Sequence, residues 1–241
     1  MQFPFSGTPV ISARNLSHRA LSREKRQNRK TIKILKERWT SMSQTAEQSI
    51  DPIVAQYRHP EQPISPLFVN RWSSRAFDSR PVDREDLLAV LEAARWAPSS
   101  LNDQPWRFLI AETKEQLEKF HSFIAPGNLT WCTKAPVLLL VMSKTTRADG
   151  QPNRAHVFDT GAAWGYLALE AARRGLITRA MGGFDAAKAR ETLGLPDDLE
   201  PRIVVALGHK GNPADLPEQL QEREKPTSRL TVDELIWSAA P

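Results

Sequence analysis

The sequence contains a single cysteine, Cys132, among its 241 residues. One thiol excludes an intramolecular disulfide framework and argues against a cysteine-built metal cluster. Long apolar runs are also absent, because the longest, Val137–Met142, is far shorter than the roughly 20 residues that a membrane-spanning helix requires. We therefore expect a protein that is not embedded in a membrane and that resides in a reducing compartment, namely the cytoplasm.

The common catalytic signatures are missing as well. The chain has no G-x-S-x-G, no P-loop, no G-x-G-x-x-G and no H-E-x-x-H. Its five histidines are scattered without the spacing of metal ligands: His18, His59, His121, His156 and His209. We therefore expect no metal site and no covalent catalysis by a side chain. If the protein is an enzyme, a bound cofactor carries the chemistry.

Positive charge is concentrated at the amino-terminal end. Residues 1–41 carry ten basic and two acidic residues, whereas the other 200 carry 23 basic and 26 acidic residues. The body is therefore mildly acidic, and we do not expect it to bind nucleic acid. Three interpretations of residues 1–41 stay open: a disordered or weakly helical extension, which a start codon assigned too early, before Met42, would explain; an organelle presequence; or a basic arm for nucleic acid or anionic membrane.

The chain divides into an extension and a folded domain. Residues 43–65 are polar and interrupted by prolines, which predicts an extended arm. Regular structure begins at Ser65 and Pro66, an N-cap followed by a proline at the first helical position. We therefore predict a largely disordered extension over residues 1–64 and a ligand-binding domain over residues 65–241.

Helical and strand signals alternate in the predicted domain. Helices are predicted over residues 66–70, 83–96, 113–123, 154–174 and 185–193, with a last one from 231, and strands over 106–111, 136–142, 177–181 and 202–207. This mixture is typical of either an open parallel sheet or an α+β layer fold, and periodicity alone does not decide between them.

Three stretches have the side chains to bind an anionic, planar ligand. Arg71–Phe77 carries two arginines four residues apart, which can fork around one phosphate. Ala97–Trp106 holds a dense row of donors and acceptors between two prolines, suited to the edge of a heteroaromatic ring. In Met181–Asp185 two glycines let a ligand approach main-chain N–H groups, and Asp185 serves as a helix cap. Each stretch by itself is also typical of an ordinary turn.

In their order and spacing these stretches resemble the nitroreductase family of FMN-dependent enzymes. The matching run is R-W-S-S-R-A-F, then P-V-x-x-E-x-L, then A-P-S-S-x-N-x-Q-P-W-x-F, between Asn70 and Ala111. The resemblance continues to Arg229 and covers about residues 65–240. It implies an α+β fold with a central, mostly antiparallel sheet flanked by helices. It also implies a homodimer with FMN at the subunit interface.

The resemblance further implies which residues hold FMN. The phosphate and ribityl chain would be held by side chains and one stretch of main chain: Arg71, Ser73, Arg75, Arg229 and the main chain of Trp72. The isoalloxazine would be lined, partly from the other subunit, by a single loop: Pro98, Ser99, Ser100, Asn102 and, as a further candidate, Gln104. Gly182 and Gly183 would present N–H groups near N5 and O4 of the ring.

The implied activity is NAD(P)H oxidation by a ping-pong mechanism, with nitroaromatics, quinones or similar flat electron acceptors as second substrates. A dedicated flavin reductase or dehalogenase of one metabolite, and a flavin-binding protein without turnover, are the alternatives. Many relatives carry a lysine where this chain has Thr227. Either Lys225 takes the place of that lysine, or the phosphate is held less tightly. The charged loop Ser143–Asn153 is either a lid near the cofactor or a solvated connection.

Overall fold

The computed structural model describes residues 49–237. The predictions for residues 1–41 lie outside this range, as does most of the predicted extension. Within the described range, no helix is both long and apolar enough to cross a bilayer.

A five-stranded antiparallel sheet forms the centre of the fold. Its strands are β1 (Phe77–Asp78), β2 (Trp106–Ala111), β3 (Val137–Lys144), β4 (Leu176–Met181) and β5 (Leu199–Lys210). Each pairing among them is antiparallel. The predicted α+β fold is therefore confirmed, and the open parallel sheet is excluded.

The order of the strands decides which parts of the chain can meet. β3 and β4 pair with overlapping parts of β5, so they lie on its opposite edges. β2 pairs with the far side of β3, and β1 pairs with the end of β5 at Lys210. β2 and β4 thus lie at opposite edges of the sheet, about 14 Å apart across three strand spacings.

Helices cover both faces of this sheet. The described helices are α1 (Pro52–Ala55), α2 (Pro66–Asn70), α3 (Arg84–Arg95), α4 (Lys114–His121), α5 (Pro126–Cys132), α6 (His156–Arg173), α7 (Ala186–Leu193), α8 (Glu218–Gln221) and α9 (Val232–Leu235). Short 3-10 turns span Ser100–Asn102 and Pro213–Asp215. A capping box opens α4, at the start of the helix predicted over residues 113–123, since the Thr113 side chain accepts from the Gln116 N–H.

The alternation of side chains along β3 builds two cores. Leu138 and Leu140 point to one face and pack with α4, α5 and α7, whereas Leu139 and Val141 point to the other and pack with α3 and α6. All four are fully buried. This explains the continuous apolar run of β3, because a strand covered on both faces has no polar side.

The prediction of an extended arm over residues 43–65 is wrong for Pro52–Ala55, which forms α1. Asp51 accepts from the Ile53 N–H at 2.8 Å, and Pro52 occupies the first helical position. This is the same cap-and-proline signal that predicted α2 correctly at Ser65. Helix α5 was not predicted either; its seven residues are too few for a clear period, and burial of Trp131 and Cys132 fixes it.

Candidate functional site

A cavity of about 530 Å³ lies between the segment after α2, strand β4 and the carboxyl-terminal segment. Its wall is strongly basic and contains Arg58, Arg71, Arg75, Arg179, Arg223, Lys225 and Arg229. Trp72, Ser73 and Thr227 also line it, together with Glu222. The structure therefore brings together all five residues that the resemblance assigned to the phosphate, although Arg71 and Arg229 are 158 positions apart (229 − 71) in the chain.

On one side of the cavity the arginines act mainly on one another. Burial, followed by the charges of Arg229 and Arg71, lowers the pKa of Arg58 to about 10. Burial and then the charge of Arg229 likewise lower the pKa of Arg71. Positive charges that are partly removed from water and face each other favour an anion between them.

On the other side a carboxylate compensates part of the positive charge. Burial lowers the pKa of Arg75, and the charge of Glu224 opposes that shift. For Arg179, burial and the charge of Arg75 lower the pKa to about 10, again against Glu224. The two sides of the cavity therefore differ in the charge that they leave for a ligand.

Glu224 also fixes the main chain that carries the predicted phosphate residues. Its side chain is only 1% exposed. The carboxylate accepts from the Arg75 N–H at 2.8 and 3.0 Å, from the Ala76 N–H at 3.1 Å and from the Ser74 hydroxyl. Sequence reasoning missed Glu224 because it lies in the charged run Glu222–Lys225, which is typical of a solvated surface.

Arg179 is a second residue that the sequence analysis missed. It sits in β4 among apolar neighbours, donates to the Ser73 carbonyl and holds its guanidinium 5.4 Å from the centre of the Trp131 ring. A lone arginine inside a predicted strand was the available signal, because a charge in such a strand needs a partner. Arg179 orients the segment that carries Ser73 and lines the cavity at the same time.

Arg58 is a third, and it comes from the segment predicted to be extended. Its Nε donates to the Thr227 carbonyl at 3.0 Å, and its Nη1 donates to the carbonyls of Val69 and Arg71 at 2.7 and 2.8 Å. These contacts join the segment after α1 to the Arg71 segment and to the carboxyl-terminal segment at Thr227, the two parts of the predicted phosphate site. Nothing in the local sequence around Arg58 indicates this role.

The glycine pair follows directly after β4. Gly182 and Gly183 are exposed, and their N–H groups have no hydrogen-bond partner within residues 49–237. The Gly183 carbonyl, in contrast, accepts from the Ala125 N–H at 3.0 Å and from Asn128 Nδ2 at 3.1 Å. The pair is thus held from its carbonyl side while its N–H groups stay open. Asp185 accepts from the Lys188 N–H, which confirms its predicted role as a helix cap.

One strand connects the basic cavity to this pair. Arg179 precedes Gly182 by three residues, which corresponds to about 10 Å along β4. A Cβ atom on Gly183 would lie 3.0 Å from Asn128 Nδ2, so this position leaves little room for a side chain. An elongated ligand with an anionic end can therefore follow β4 from the arginines to the open N–H groups.

The loop from Pro98 to Gln104, the ring-edge loop, is held in an unusual backbone conformation. Leu101, Asn102 and Gln104 have φ values of 52°, 59° and 46°, in the left-handed region that side chains rarely adopt. The Ser100 N–H donates to Asp159 Oδ2 at 3.0 Å, and the Gln104 N–H donates to Ser99 Oγ at 3.1 Å. A strained backbone that several such contacts hold in place is typical of binding loops.

A single chain does not bring this loop to the glycine pair. The loop leads into β2 at Trp106, whereas Gly182 and Gly183 follow β4, at the opposite edge of the sheet. Pro98, Ser100 and Asn102 are exposed. The predicted ring-binding residues therefore form two separate groups within one chain.

Of the charged loop predicted over Ser143–Asn153, Ser143 and Lys144 belong to β3, and the remainder contacts the ring-edge loop. Arg147 Nε lies 3.2 Å from Asp103 Oδ2. Lys144 pairs instead with Asp198, at 3.4 Å. Arg147 therefore joins this loop to the predicted binding loop.

Comparison with known proteins identifies the family to which this fold belongs. A sequence model described as "Nitroreductase family" matches residues 69–129 and 123–209. The chain belongs to the nitroreductase family. The matched span includes the Arg71 segment, the ring-edge loop and the glycine pair of this nitroreductase-family protein, but it excludes Arg58 and Arg229.

Individual relatives agree with this assignment. A solved structure described as "The crystal structure of the oxidoreductase containing FMN" has a TM-score of 0.72 and 39% identity, covering 76% of this chain and 95% of that chain. An Archaeoglobus fulgidus protein named "Putative NADH dehydrogenase/NAD(P)H nitroreductase" is 29% identical over 156 residues, 63% of this chain and 88% of the relative. The "Major NAD(P)H-flavin oxidoreductase" of Aliivibrio fischeri is 39% identical over 64 residues, 26% of this chain and 29% of the relative. The predicted family and fold are confirmed.

Proposed function

We propose that this protein is an FMN-dependent NAD(P)H oxidoreductase. The observation that carries the proposal is the juxtaposition of a basic cavity, lined by Arg179 of β4, and a pair of open main-chain N–H groups directly after the same strand. FMN has the matching chemistry, a phosphate dianion joined by a flexible chain to a planar ring with electronegative edge atoms. Relatives named for FMN and for NAD(P)H support the choice of cofactor and electron donor.

The residues of the cavity fit the phosphate end of this cofactor. Arg71 and Arg75 are partly buried, so each charge-assisted hydrogen bond to a phosphate oxygen is stronger than it would be in open water. The Arg71 Nη1 lies 3.3 Å from Ser73 Oγ, which leaves the Ser73 hydroxyl proton free for an acceptor. Arg229, on the carboxyl-terminal segment, lines the same wall.

The residues at the end of β4 fit the ring. When bound, FMN supplies hydride transfer, from NAD(P)H to its N5 and onward to the acceptor. The N–H groups of Gly182 and Gly183 would donate to the edge of the ring and would stabilise negative charge there. Their carbonyl side is fixed by Ala125 and Asn128, so the N–H groups are aligned before the ligand arrives. No side chain is required as a general base.

In the proposed site the ring-edge loop comes from a second subunit. Pro98, Ser99, Ser100, Asn102 and Gln104 lie at the β2 edge of their own sheet, away from their own glycine pair. Apolar side chains exposed on α6 and at the loop suit a homodimer interface: Val157, Phe158, Tyr166 and Leu101. In such a homodimer the loop of one chain would cover the ring that the other chain holds.

The second substrate is a flat, small-molecule electron acceptor, such as a nitroaromatic compound or a quinone. A ring whose edge met the N–H groups of Gly182 and Gly183, and which a partner's loop covered on one side, would leave one face open to substrates. Such a face selects acceptors by shape and reduction potential more than by specific hydrogen bonds. NAD(P)H and the acceptor then occupy the same face in turn, as a ping-pong mechanism requires.

The first test is an absorbance spectrum of the purified protein, followed by anaerobic addition of NADH and then of NADPH. We expect flavin bands that bleach with one of the two nucleotides and return when a nitroaromatic or a quinone is added. Bleaching that only one specific metabolite reverses would replace the broad activity with a dedicated reductase or dehalogenase. Bound FMN that neither nucleotide reduces would leave a flavin-binding protein, and failure to take up FMN would refute the proposal.

A pair of variants tests the phosphate residues. Arg71→Ala is expected to raise the Kd for FMN about ten- to hundredfold, the effect of losing charge-assisted hydrogen bonds. Arg80→Ala is the matched control, because Arg80 is exposed and pairs with Asp78 at 2.7 Å, outside the cavity wall. An unchanged FMN affinity in Arg71→Ala would remove Arg71 from the site.

A further inference from the structure

The cations of the cavity fall into two groups. Arg75 forms an ion pair with Glu224 at 3.9 Å, and the same carboxylate acts on Arg179. Five cations of the wall have no ion pair with any carboxylate of residues 49–237: Arg58, Arg71, Arg223, Lys225 and Arg229. Arg223 acts on Arg75 and Arg179, near Glu224. Arg58, Arg71 and Arg229 act on one another and form the second group. A dianion gains most where positive charge is uncompensated. The favoured position of a phosphate is therefore between these three arginines.

The guanidinium of Arg58 is held in place by neutral groups only. Its Nε–H and both Nη1–H bonds point at three main-chain carbonyls, those of Thr227, Val69 and Arg71. Carbonyl acceptors fix the plane of the guanidinium without cancelling its charge. A guanidinium has five N–H donors, and the two on Nη2 have no hydrogen-bond partner within residues 49–237.

The same carbonyl of Thr227 also organises Arg229. Arg229 Nη1 donates to Thr227 Oγ1 at 3.1 Å and to the Thr227 and Ser228 carbonyls at 3.3 and 2.9 Å. Arg58 and Arg229 are thus anchored on one peptide unit, although they come from opposite ends of the described chain. Both also line the cavity of about 530 Å³.

We propose that Arg58 is a direct ligand of the FMN phosphate and that the phosphate lies between Arg58, Arg71 and Arg229. This inference rests on the proposed function, and it adds a residue from outside the span that the family model matches. The segment after α1 then becomes part of the cofactor site. Its anchoring to Val69, Arg71 and Thr227 gives that segment a structural reason to be ordered.

The test compares FMN with riboflavin, which has the same ring and no phosphate. In Arg58→Gln the charge is lost, and we expect the Kd for FMN to rise about ten- to hundredfold while the Kd for riboflavin stays within about twofold. Arg58→Lys keeps the charge, and it should retain most of the preference for FMN. Affinities are measured by quenching of flavin fluorescence on the full chain, at low and at high salt.

Arg190 provides a closely matched control. Like Arg58, it donates to three main-chain carbonyls, those of Leu195, Pro196 and Leu199, at 3.3, 2.7 and 2.7 Å. It does not line the basic cavity. Arg190→Gln therefore removes a comparable set of structural contacts, and it should leave the affinities for both flavins unchanged.

The outcomes separate this inference from the proposed function. Equal weakening of FMN and riboflavin in Arg58→Gln would mean that Arg58 only supports the fold, and it would overturn the inference. So would an unchanged FMN affinity in that variant beside normal binding by the wild type. Should Arg58→Gln fail to fold, an Arg58→Lys variant with no preference for FMN would overturn it equally. A wild-type protein that binds no FMN would instead refute the proposed function.

Discussion

Replacing Glu224 with glutamine tests how the basic cavity is held together. The carboxylate is buried and accepts from two main-chain N–H groups, those of Arg75 and Ala76, and from the Ser74 hydroxyl. Glutamine has almost the same shape, but it replaces one of the two acceptor oxygens with an NH2 donor. That donor would face the Arg75 N–H, which now approaches both oxygens at 2.8 and 3.0 Å.

The size of the effect follows from these contacts. A hydrogen bond to a charged group contributes about 1.5–3 kcal/mol, and a buried donor left unsatisfied costs about 1–3 kcal/mol. Glu224→Gln weakens several such contacts and also removes the negative charge beside Arg75. Because one oxygen remains as an acceptor, we expect a loss of about 2–4 kcal/mol in the free energy of unfolding, rather than the sum of all contacts.

The assay is urea unfolding at fixed protein concentration, followed by tryptophan fluorescence. Glu222→Gln is the matched control, because Glu222 lies two residues away and is exposed. It should change the free energy of unfolding by less than about 0.5 kcal/mol. If Glu224→Gln were as stable as that control, the carboxylate would not be holding residues 74–76, and our account of the cavity wall would be wrong.

Three further predictions concern the rest of the fold. Arg174→Met removes the ion pair to Asp86 (2.7 Å), which joins the C-cap of α6 to α3, together with the pair to Glu170 (2.6 Å), and it should lower the free energy of unfolding in urea by about 2–3 kcal/mol. Burial acts to raise the pKa of Glu170, but hydrogen bonds from Arg173 and Arg174 outweigh it and lower the pKa overall. The stability that Glu170 contributes is therefore present above its unfolded pKa of about 4.3 and lost as pH falls through the lower folded value, so acid titrations should show less loss for Glu170→Gln. Burial raises the pKa of Cys132 to about 11, so this thiol should resist Ellman's reagent at pH 8 in the native protein and react fully in urea.

Secondary structure was predictable wherever the signal was local. The apolar run of β3 and the Gly194 C-cap of α7, with φ of 62°, are written in a few neighbouring residues. Helix α5 and the two-residue strand β1 were not predictable, because their stability comes from packing. Phe77 of β1, for example, stacks on Trp131 of α5 at 6.1 Å between ring centres, a contact across more than fifty residues of sequence.

The candidate site divides in the same way. The Arg71–Arg75 segment and the Pro98–Gln104 loop are contiguous motifs, so the sequence could place them near a ligand by resemblance. Arg58, Arg179 and Glu224 carry no local motif. Each acts on a segment far away in the chain. A contact between such distant segments leaves no periodicity or spacing in the sequence, so it cannot be predicted from a single sequence.

This distinction has a consequence for how the site forms. Glu224 reaches Arg75 across 149 positions, and Arg58 reaches Thr227 across 169. The basic cavity therefore closes only when both ends of the described chain have docked on the sheet. Until then its arginines are solvated and separate, and their mutual repulsion is weak. An anion that binds the closed cavity relieves that repulsion in the folded state alone, so FMN should stabilise the docked ends more than the central strands.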